Sequence, residues 1–382
     1  MKPSNHNTEK VDATTRNLEK HRREIDRIDE KLLELMNRRL AIAKEIGKIK
    51  EHHKAAVIDT TRESHVIQRL FSLNQDGLLT QKALFQIFTA IIAASRGIQQ
   101  VPFQTPSAKL LPSIFAVIGN PVSHSLSPMM HTSAFEVVGY NGLYLPLEVD
   151  DIGLAVSGLK ALKFKGASIT IPHKVSVMDF LDETDDMARK IKAVNTIVNR
   201  NGRLVGYNTD CSGAIRALSA KTTIKDKDVT VIGAGGAARA IGFGVKSEGG
   251  RLTIVNRSKE NGEKLARDLD AAFIPLAEVH QLSCDILINT TSVGMTPHID
   301  DIPLSKELLD NHMVVMDIVY NPLNTRLLSE AGKIGCTTVD GASMFIYQGA
   351  EQFELWTNIK APVAIMKLAV LAALDERDKT GG

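Results

Sequence analysis

Val229-Thr230-Val231-Ile232-Gly233-Ala234-Gly235-Gly236-Ala237-Ala238-Arg239 runs from β-favouring residues through a glycine-rich turn into helix formers. This is the pattern of a strand, a tight turn and a helix start. Glycine there lets the backbone approach a pyrophosphate, and the helix N-terminus favours its charge. A second β-rich run, Arg251 to Val255, follows. The pattern predicts a dinucleotide site built on Gly233, Ala234, Gly235, Gly236 and Ala237. The turn after the second run separates the cofactors. NAD enzymes usually place an acid there for the ribose hydroxyls, whereas this chain has Asn256-Arg257-Ser258-Lys259 and no acid before Glu260. Arg257 can stack on adenine and pair with a 2′-phosphate while Ser258 donates a hydrogen bond, so NADP is the expected cofactor.

Around this unit the texture of the chain changes twice. Short β-rich runs alternate with helical patterns: Phe115–Ile118, Leu143–Leu147, Gly166–Ile171, Thr196–Val198, Val229–Ile232, Leu252–Val255, Ile286–Asn289 and Val314–Asp317. Such alternation argues for parallel α/β layers. Ala342 to Leu374 is helical again. Before the strands, Thr8 to Gln100 has almost no Gly or Pro and a helical apolar period, and Pro102, Pro106 and Pro112 mark a linker over 102–112. A chain of 382 residues has room for two or three domains. Its net charge of +2 lacks the concentrated basic excess of a nucleic-acid binder. Cys211, Cys284 and Cys336 are widely spaced, neither a disulfide framework nor a metal cluster, and fit a reducing compartment. His124, His131 and His173 also lack metal-ligand spacing, so no metal is expected. Met1 to Lys10 is polar, without the apolar core of a signal peptide, and Ala361 to Leu374 is too short to span a bilayer and contains Lys367. The expectation is a soluble cytoplasmic protein with neither nucleic acid nor membrane as partner.

In the N-terminal region Leu18, Ile25, Leu32 and Ile46 fall seven or fourteen apart, and Ile28, Leu35, Ile42 and Ile49 fill the second position of the same heptad. The pattern predicts one long amphipathic helix whose seam needs a partner. Arg39 takes the seam position between Leu32 and Ile46, where a charge is costly unless an anion meets it. A neighbouring carboxylate, or escape of the head group to water, would also answer it. Lys50 projects from nearly the same face, roughly 16 Å along at ~1.5 Å per residue, which leaves room for a small anion. Arg22 points inward too but lies about 26 Å from Arg39 by the same rise. A two-fold dimer that lends Arg22 to the partner's site would unite them.

These residues lie in Arg22-Arg23-Glu24-Ile25-Asp26-Arg27-Ile28-Asp29, Leu32-Leu33-Glu34-Leu35, Arg38-Arg39, Gly47-Lys48-Ile49-Lys50 and Asp59 with Arg62-Glu63. Over about residues 9–100 the chain resembles the all-helical chorismate mutases. The resemblance implies that Arg22 comes from the partner's long helix and that Arg39 and Arg62 come from the same chain. It assigns Lys50 and Gln99 to the ether oxygen, Asp59 and Glu63 to the hydroxyl side, and Ser95 to a carboxylate. The chemistry fits such groups. Arginine forks hold a dicarboxylate in its reactive conformer, and Lys50 and Gln99 stabilise the charge that grows as chorismate rearranges to prephenate. The alternative is a binding and dimerisation module that does not turn over.

In the α/β part, Gly119-Asn120-Pro121-Val122-Ser123-His124-Ser125-Leu126-Ser127-Pro128 is a polar loop directly after a strand. Ser168-Ile169-Thr170-Ile171-Pro172-His173-Lys174 is a strand that runs into a lysine. Ala193-Val194-Asn195-Thr196, Gly206-Tyr207-Asn208-Thr209-Asp210, Asn289-Thr290-Thr291-Ser292-Val293-Gly294-Met295, Asp317-Ile318-Val319-Tyr320 and Asp340-Gly341 with Gln348 follow in order. From about Phe115 to Leu374 the chain resembles shikimate dehydrogenase. The resemblance implies that Lys174 and Asp210 are the catalytic pair and that Ser125 and Ser127 bind the substrate carboxylate. Thr170, Asn195, Asp210 and Gln348 would hold ring hydroxyls, Tyr320 would border the site, and Thr290 and Met344 would join the cofactor contacts. Ser168 departs from the asparagine of many relatives. Quinate with NAD is the rival substrate pair, against which the Asn256-Arg257-Ser258 turn argues.

The expected fold class is therefore multidomain: an all-α chorismate mutase domain over 1–101, then an α/β shikimate dehydrogenase. Its shikimate-binding domain would comprise 113–211 plus 343–382, with a Rossmann-like NADP domain inserted at 212–342. The substrates implied are 3-dehydroshikimate or shikimate and chorismate or prephenate, in a homodimer formed through the N-terminal helices.

Overall fold

The computed structural model describes residues 6–75, 77–99, 111–280 and 283–380, with side chains from 17 to 376 within those spans. All but the last two residues of the expected linker lie outside the described residues. The N-terminal region forms α1 (His6–His52), α2 (Thr60–Leu73) and α3 (Gln81–Gln99). Two compact units divide the chain: the described parts of Met1–Asp59 with Ile87–Ala108, and those of Thr60–Gln86 with Lys109–Gly382.

In the first unit α1 is one unbroken helix of 47 residues. Its seam residues Leu18, Ile25, Ile28, Leu32, Leu35, Ile42, Ile46 and Ile49 are 44–60% exposed in the single chain. Covering the open part of each would gain on the order of 1 kcal/mol. The opposite situation holds at Ala43 and Gly47, which are buried. A Cβ on Gly47 would come within 2.9 Å of the Gln99 Cα, so glycine is what lets the last turn of α3 approach α1.

The second unit holds two six-stranded sheets. The first is drawn from β1 (Ser113–Gly119), α4 (Ser127–Val138), β2 (Gly142–Glu148), α5 (Ile152–Ala161), β3 (Gly166–Ile169), β4 (Glu183–Thr184), α6 (Asp186–Ile191), β5 (Thr196–Arg200) and β6 (Arg203–Tyr207). Its strand order is β2-β1-β3-β5-β6-β4. β1 pairs in parallel with β2 and β3, and β5 runs antiparallel to β3 and β6. α7 (Thr209–Ser219) leads to the second sheet. This comprises β7 (Asp228–Ile232), α8 (Gly236–Ser247), β8 (Arg251–Asn256), α9 (Lys259–Leu269), β9 (Ala272–Pro275), β10 (Ile286–Asn289), β11 (Val314–Asp317), α10 (Arg326–Ile334) and β12 (Thr337–Val339). All its pairs are parallel, in the order β12-β11-β10-β7-β8-β9. That is a doubly wound Rossmann arrangement, whose ligands bind beyond the carboxyl ends of the strands. α11 (Gly341–Thr357) and α12 (Val363–Thr380) then return to the first sheet, where Phe353, Met366 and Val370 pack on Phe115 and Phe135.

Thr60–Gln86 groups with this part, across the boundary expected near residue 101. The reason is physical: α2 packs on α12, and Lys82 pairs with Glu376 at 2.7 Å.

Candidate active site

Lys174 lies in the loop after β3, and Asp210 in the first turn of α7, where the helix dipole favours a carboxylate. Asn208 sets that turn by capping α7 through the Cys211 N–H. The Lys174 Nζ donates to Asp210 Oδ2 at 2.5 Å. The pair is largely withdrawn from water, with side chains 18% and 7% exposed. Asn195, immediately before β5, donates its Nδ2 to Asp210 Oδ1 and Thr209 Oγ1 at 2.9 Å each, and to Gln348 Oε1 at 3.4 Å. Four of the expected residues thus form one cluster drawn from two loops and two helices.

Ser125 and Ser127 stand at the N-terminus of α4, where Leu126 at the cap position offers no side-chain bond. The leading end of a helix and two hydroxyls suit a carboxylate. Ser125 Oγ accepts from the Ser127 N–H at 3.2 Å. Thr170 meets the same loop: a Cβ on Gly119 would strike the Thr170 Cγ2 at 2.3 Å. Tyr320 stacks on Phe345 of α11 with ring centroids 4.7 Å apart. Ser168 is not open to the ring side. Its hydroxyl donates to Gln352 Oε1 and bonds the Tyr144 hydroxyl, each at 2.7 Å.

The nucleotide turn follows β7. Gly233 has φ +118°, and a Cβ there would fall 2.4 Å from Thr290 Oγ1, which itself donates to the Ile232 carbonyl at 2.6 Å. Gly235 caps α8 without a side-chain bond, and a Cβ on it would meet nothing within 4 Å. Packing therefore does not require glycine at 235; close approach of a phosphate to the free amides that open α8, from Gly236 and Ala237 onward, would. Ala234 packs at the margin of the nucleotide-lobe core. A Cβ on Gly236 would lie 3.6 Å from the Lys174 Cδ, so the turn that suits a pyrophosphate lies beside the Lys174 side chain. After β8, Asn256 Nδ2 holds the Ser258 carbonyl at 2.8 Å, Ser258 caps α9, and Arg257 stands exposed. These residues fit NADP. Met344 is 6% exposed and packs in the core of the nucleotide lobe.

Asp317 ends β11 opposite Asn289 of β10. Its carboxylate accepts from Thr325 Oγ1 at 2.7 Å and from Asn289 Nδ2 and the Val319 N–H at 3.0 Å. All three donors are neutral, and burial pushes its pKa up to about 6.

In the first unit the Arg39 guanidinium turns to α3. It donates to the Ser95 hydroxyl and, at 3.3 Å, to the Ile91 carbonyl. Lys50 Nζ donates to the Val57 carbonyl at 2.8 Å. Among the described residues neither cation meets a carboxylate. Gln99 Oε1 is buried with no hydrogen-bond partner there. Arg22 is exposed on α1, and Asp59 closes the segment after it. Arg62 and Glu63 belong instead to the second unit, in the first turn of α2, where Glu63 is buried.

Sequence reading missed Tyr144, Thr209 and Gln352 as members of the dehydrogenase cluster. The signal for Gln352 was its spacing, four residues after Gln348 on one face of α11. No group of three His, Cys, Asp or Glu residues suits a metal, and no helix is long and apolar enough to cross a membrane, among the described residues.

Comparison with known proteins adds independent support. Residues 117–197 match the shikimate dehydrogenase substrate-binding domain, 216–340 the shikimate/quinate 5-dehydrogenase family and 341–371 the shikimate 5′-dehydrogenase C-terminal domain. Residues 21–100 match chorismate mutase type II. Shikimate dehydrogenase (NADP+) of Geobacillus kaustophilus is 45% identical over 271 residues, which cover 68% of this chain and 98% of that protein. A crystal structure of shikimate dehydrogenase in complex with NADP+ aligns with a TM-score of 0.65 at 40% identity, over 69% of this chain and 96% of that one. The Thermus thermophilus enzyme in complex with NADP(H) and shikimate aligns at 0.64 and 35% identity, over 68% and 99%. The chain belongs to the shikimate dehydrogenase family, with a chorismate mutase type II domain fused ahead of it.

Proposed function

We propose that this protein reversibly reduces 3-dehydroshikimate to shikimate with NADPH and also rearranges chorismate to prephenate. The observation that carries the first activity is the withdrawn Lys174–Asp210 pair, locked to Asn195 and bordering the glycine turn of α8. NADPH supplies the hydride that reduces the C3 ketone. Ser125 and Ser127 hold the substrate carboxylate at the start of α4. The Lys174 ammonium stands where the oxyanion develops and stabilises or protonates it, while Asp210 orients the ammonium and accepts a ring hydroxyl. The test is shikimate oxidation by the full chain with NADP+ against NAD+, and with shikimate against quinate. Faster turnover of quinate with NAD+ would overturn the assignment.

For the mutase the carrying observation is that, among the described residues, the two cations Arg39 and Lys50 are answered only by neutral oxygens and the buried Gln99 Oε1 has no partner. A dicarboxylate substrate supplies the missing countercharge. Arg22 is read as the contribution of a second copy, so the working state is a homodimer joined along the α1 seam. Arg62 and Glu63 are assigned to this site by the resemblance. Prephenate formation by the intact protein tests this; an inactive wild type would make the domain a sensor or dimeriser. We read the protein as cytoplasmic, because a reducing compartment suits the buried free thiols Cys211, Cys284 and Cys336.

A further inference from the structure

Behind the dehydrogenase site runs a line of buried polar groups to which the reaction assigns no part. The Tyr144 hydroxyl, on β2, sits between Ser127 at the head of α4 and Ser168 on β3, 2.7 Å from the latter. The Ser168 hydroxyl donates to Gln352 Oε1 on α11 at 2.7 Å. On its other side Gln352 donates to Thr196 Oγ1 at 2.9 Å and to the Asn195 carbonyl at 3.3 Å. Thr196 Oγ1 then donates to Asn195 Oδ1 at 2.8 Å, and Asn195 Nδ2 holds Asp210. The line begins at a hydroxyl read as a carboxylate ligand and ends on the catalytic pair.

Every intermediate member is 6% exposed or less. A buried hydroxyl or carboxamide is costly without partners, and here each has them on both sides, so the alternative positions of each group are penalised. The packing around the line is equally confining. The His131 ring stacks on Tyr144 with centroids 4.6 Å apart, and Trp356 Nε1–H is fixed on the Ile197 carbonyl at 2.9 Å. His131 is wholly buried, and desolvation lowers its pKa to about 3, so no charge enters this wall at neutral pH. A polar line of this length inside two packed elements and a sheet is not needed to fill space; apolar side chains would do that without the risk of an unpaired group.

We propose that Tyr144 and Gln352 are positioning residues of the dehydrogenase, joining the carboxylate-binding end of the site at Ser127 to the Lys174–Asp210 end through one hydrogen-bonded line. The proposal rests on the dehydrogenase reading given above. It has a kinetic signature: Tyr144 acts at the carboxylate end and governs KM for shikimate, whereas Gln352, in the middle of the line, joins Ser168 to Asn195 and Thr196 and governs kcat as well.

The experiment is a double-mutant cycle in the full chain with Tyr144→Phe, Gln352→Leu and both together. It would measure kcat and both KM values well below the melting temperature of each variant. Tyr144→Phe raises KM for shikimate by about three- to tenfold, the worth of one buried hydrogen bond, and leaves KM for NADP+ unchanged. Gln352→Leu adds a fall in kcat of similar size. The double variant is scarcely worse than Gln352→Leu, because the line is already cut. If Gln352→Leu does not fold, Ser168→Ala cuts the same line at its middle and replaces it in the cycle. Effects that multiply in the double variant, or a lowered melting temperature with unaltered KM and kcat, would overturn the proposal alone. A wild type unable to oxidise shikimate would overturn it together with the reading beneath it.

Discussion

The two sites of this chain answer their charges in opposite ways. In the dehydrogenase the Lys174 ammonium meets the Asp210 carboxylate at 2.5 Å, and the amide of Asn195 closes on Asp210, Thr209 and Gln348. In the mutase region Arg39 and Lys50 meet only a hydroxyl and two carbonyls, and Gln99 Oε1 meets nothing among the described residues. The same contrast runs through the apolar surface. Phe115, Phe135 and Phe353 are sealed under α4, α11 and α12, while the α1 seam stands open. One site is finished by a single chain. The other, on the reading proposed above, is completed by a doubly anionic ligand and a second copy. A preorganised ion pair favours chemistry at a fixed point, whereas unanswered cations favour capture of an anion.

The contrast is broken most directly at Lys174. Lys174→Met should lower shikimate oxidation by about 10³-fold while chorismate turnover stays at the wild-type rate; loss of both activities would mean that the sites are not separate. Arg39→Ala is the mirror experiment, with prephenate formation reduced about 10²-fold and the dehydrogenase spared. Leu32→Glu sharpens it further, because it leaves every mutase side chain in place and puts like charges on the seam of the proposed dimer. Light scattering should show monomers, and the mutase should fail without any change in shikimate oxidation. A dimeric, mutase-active Leu32→Glu protein would refute assembly along α1.

A third case refines the comparison within the dehydrogenase itself. Asp317, like Asp210, is a buried carboxylate near the end of a strand, but it meets three neutral donors and no cation. Burial raises its pKa from the usual aspartate value to about 6, so the folded state holds a proton that the unfolded chain has already released. Stability from this group is whole below about pH 4 and is lost as pH climbs through about 6. Denaturant unfolding of wild type beside Asp317→Asn isolates it from other carboxylates. The stability difference, wild type minus variant, should fall across that window by on the order of 3 kcal/mol. A flat or rising difference would show that the three hydrogen bonds outweigh desolvation.

Much of this was legible in the residues. All eight strands read from β-rich runs are present, and the heptad of α1 marks one continuous helix. The strands that escaped are β4, β6, β9 and β12, and the reasons differ. β4 has two residues and β12 three, too few to display a period, and β4, β9 and β12 are sheet edges where one neighbour sets the strand. β6 was readable: Asn201-Gly202 is a two-residue hairpin signal, and both residues adopt positive φ, 56° and 92°. Its motif value at Gly206 to Asp210 masked its role as a strand. In the candidate site the charged and motif-borne residues could be named from order and spacing. Tyr144 could not, because a polar side chain gains meaning there only from partners on other elements, and Gln352 offered no more than its spacing from Gln348. Arg39 was placed on the seam, yet its hydrogen bonds run to α3, since a long flexible side chain need not follow its Cβ direction.

Arg257 offers the smallest effect and the finest discrimination, because it belongs to the completed site yet shares the condition of the open one. It is exposed beyond β8 on a turn already fixed by Asn256 and by the Ser258 cap, so its side chain carries none of the fold. Its role is then confined to the ligand that brings a charge, as at Arg39. Arg257→Ala should leave the melting temperature and kcat with saturating NADP+ unchanged. KM for NADP+ should rise about 10-fold, the loss of one charge-assisted pairing with a 2′-phosphate, and KM for NAD+, which lacks that phosphate, should move far less. Equal loss for both cofactors would place Arg257 on the adenine they share; no loss for either would remove it from the cofactor site and return cofactor choice to the shape of the turn.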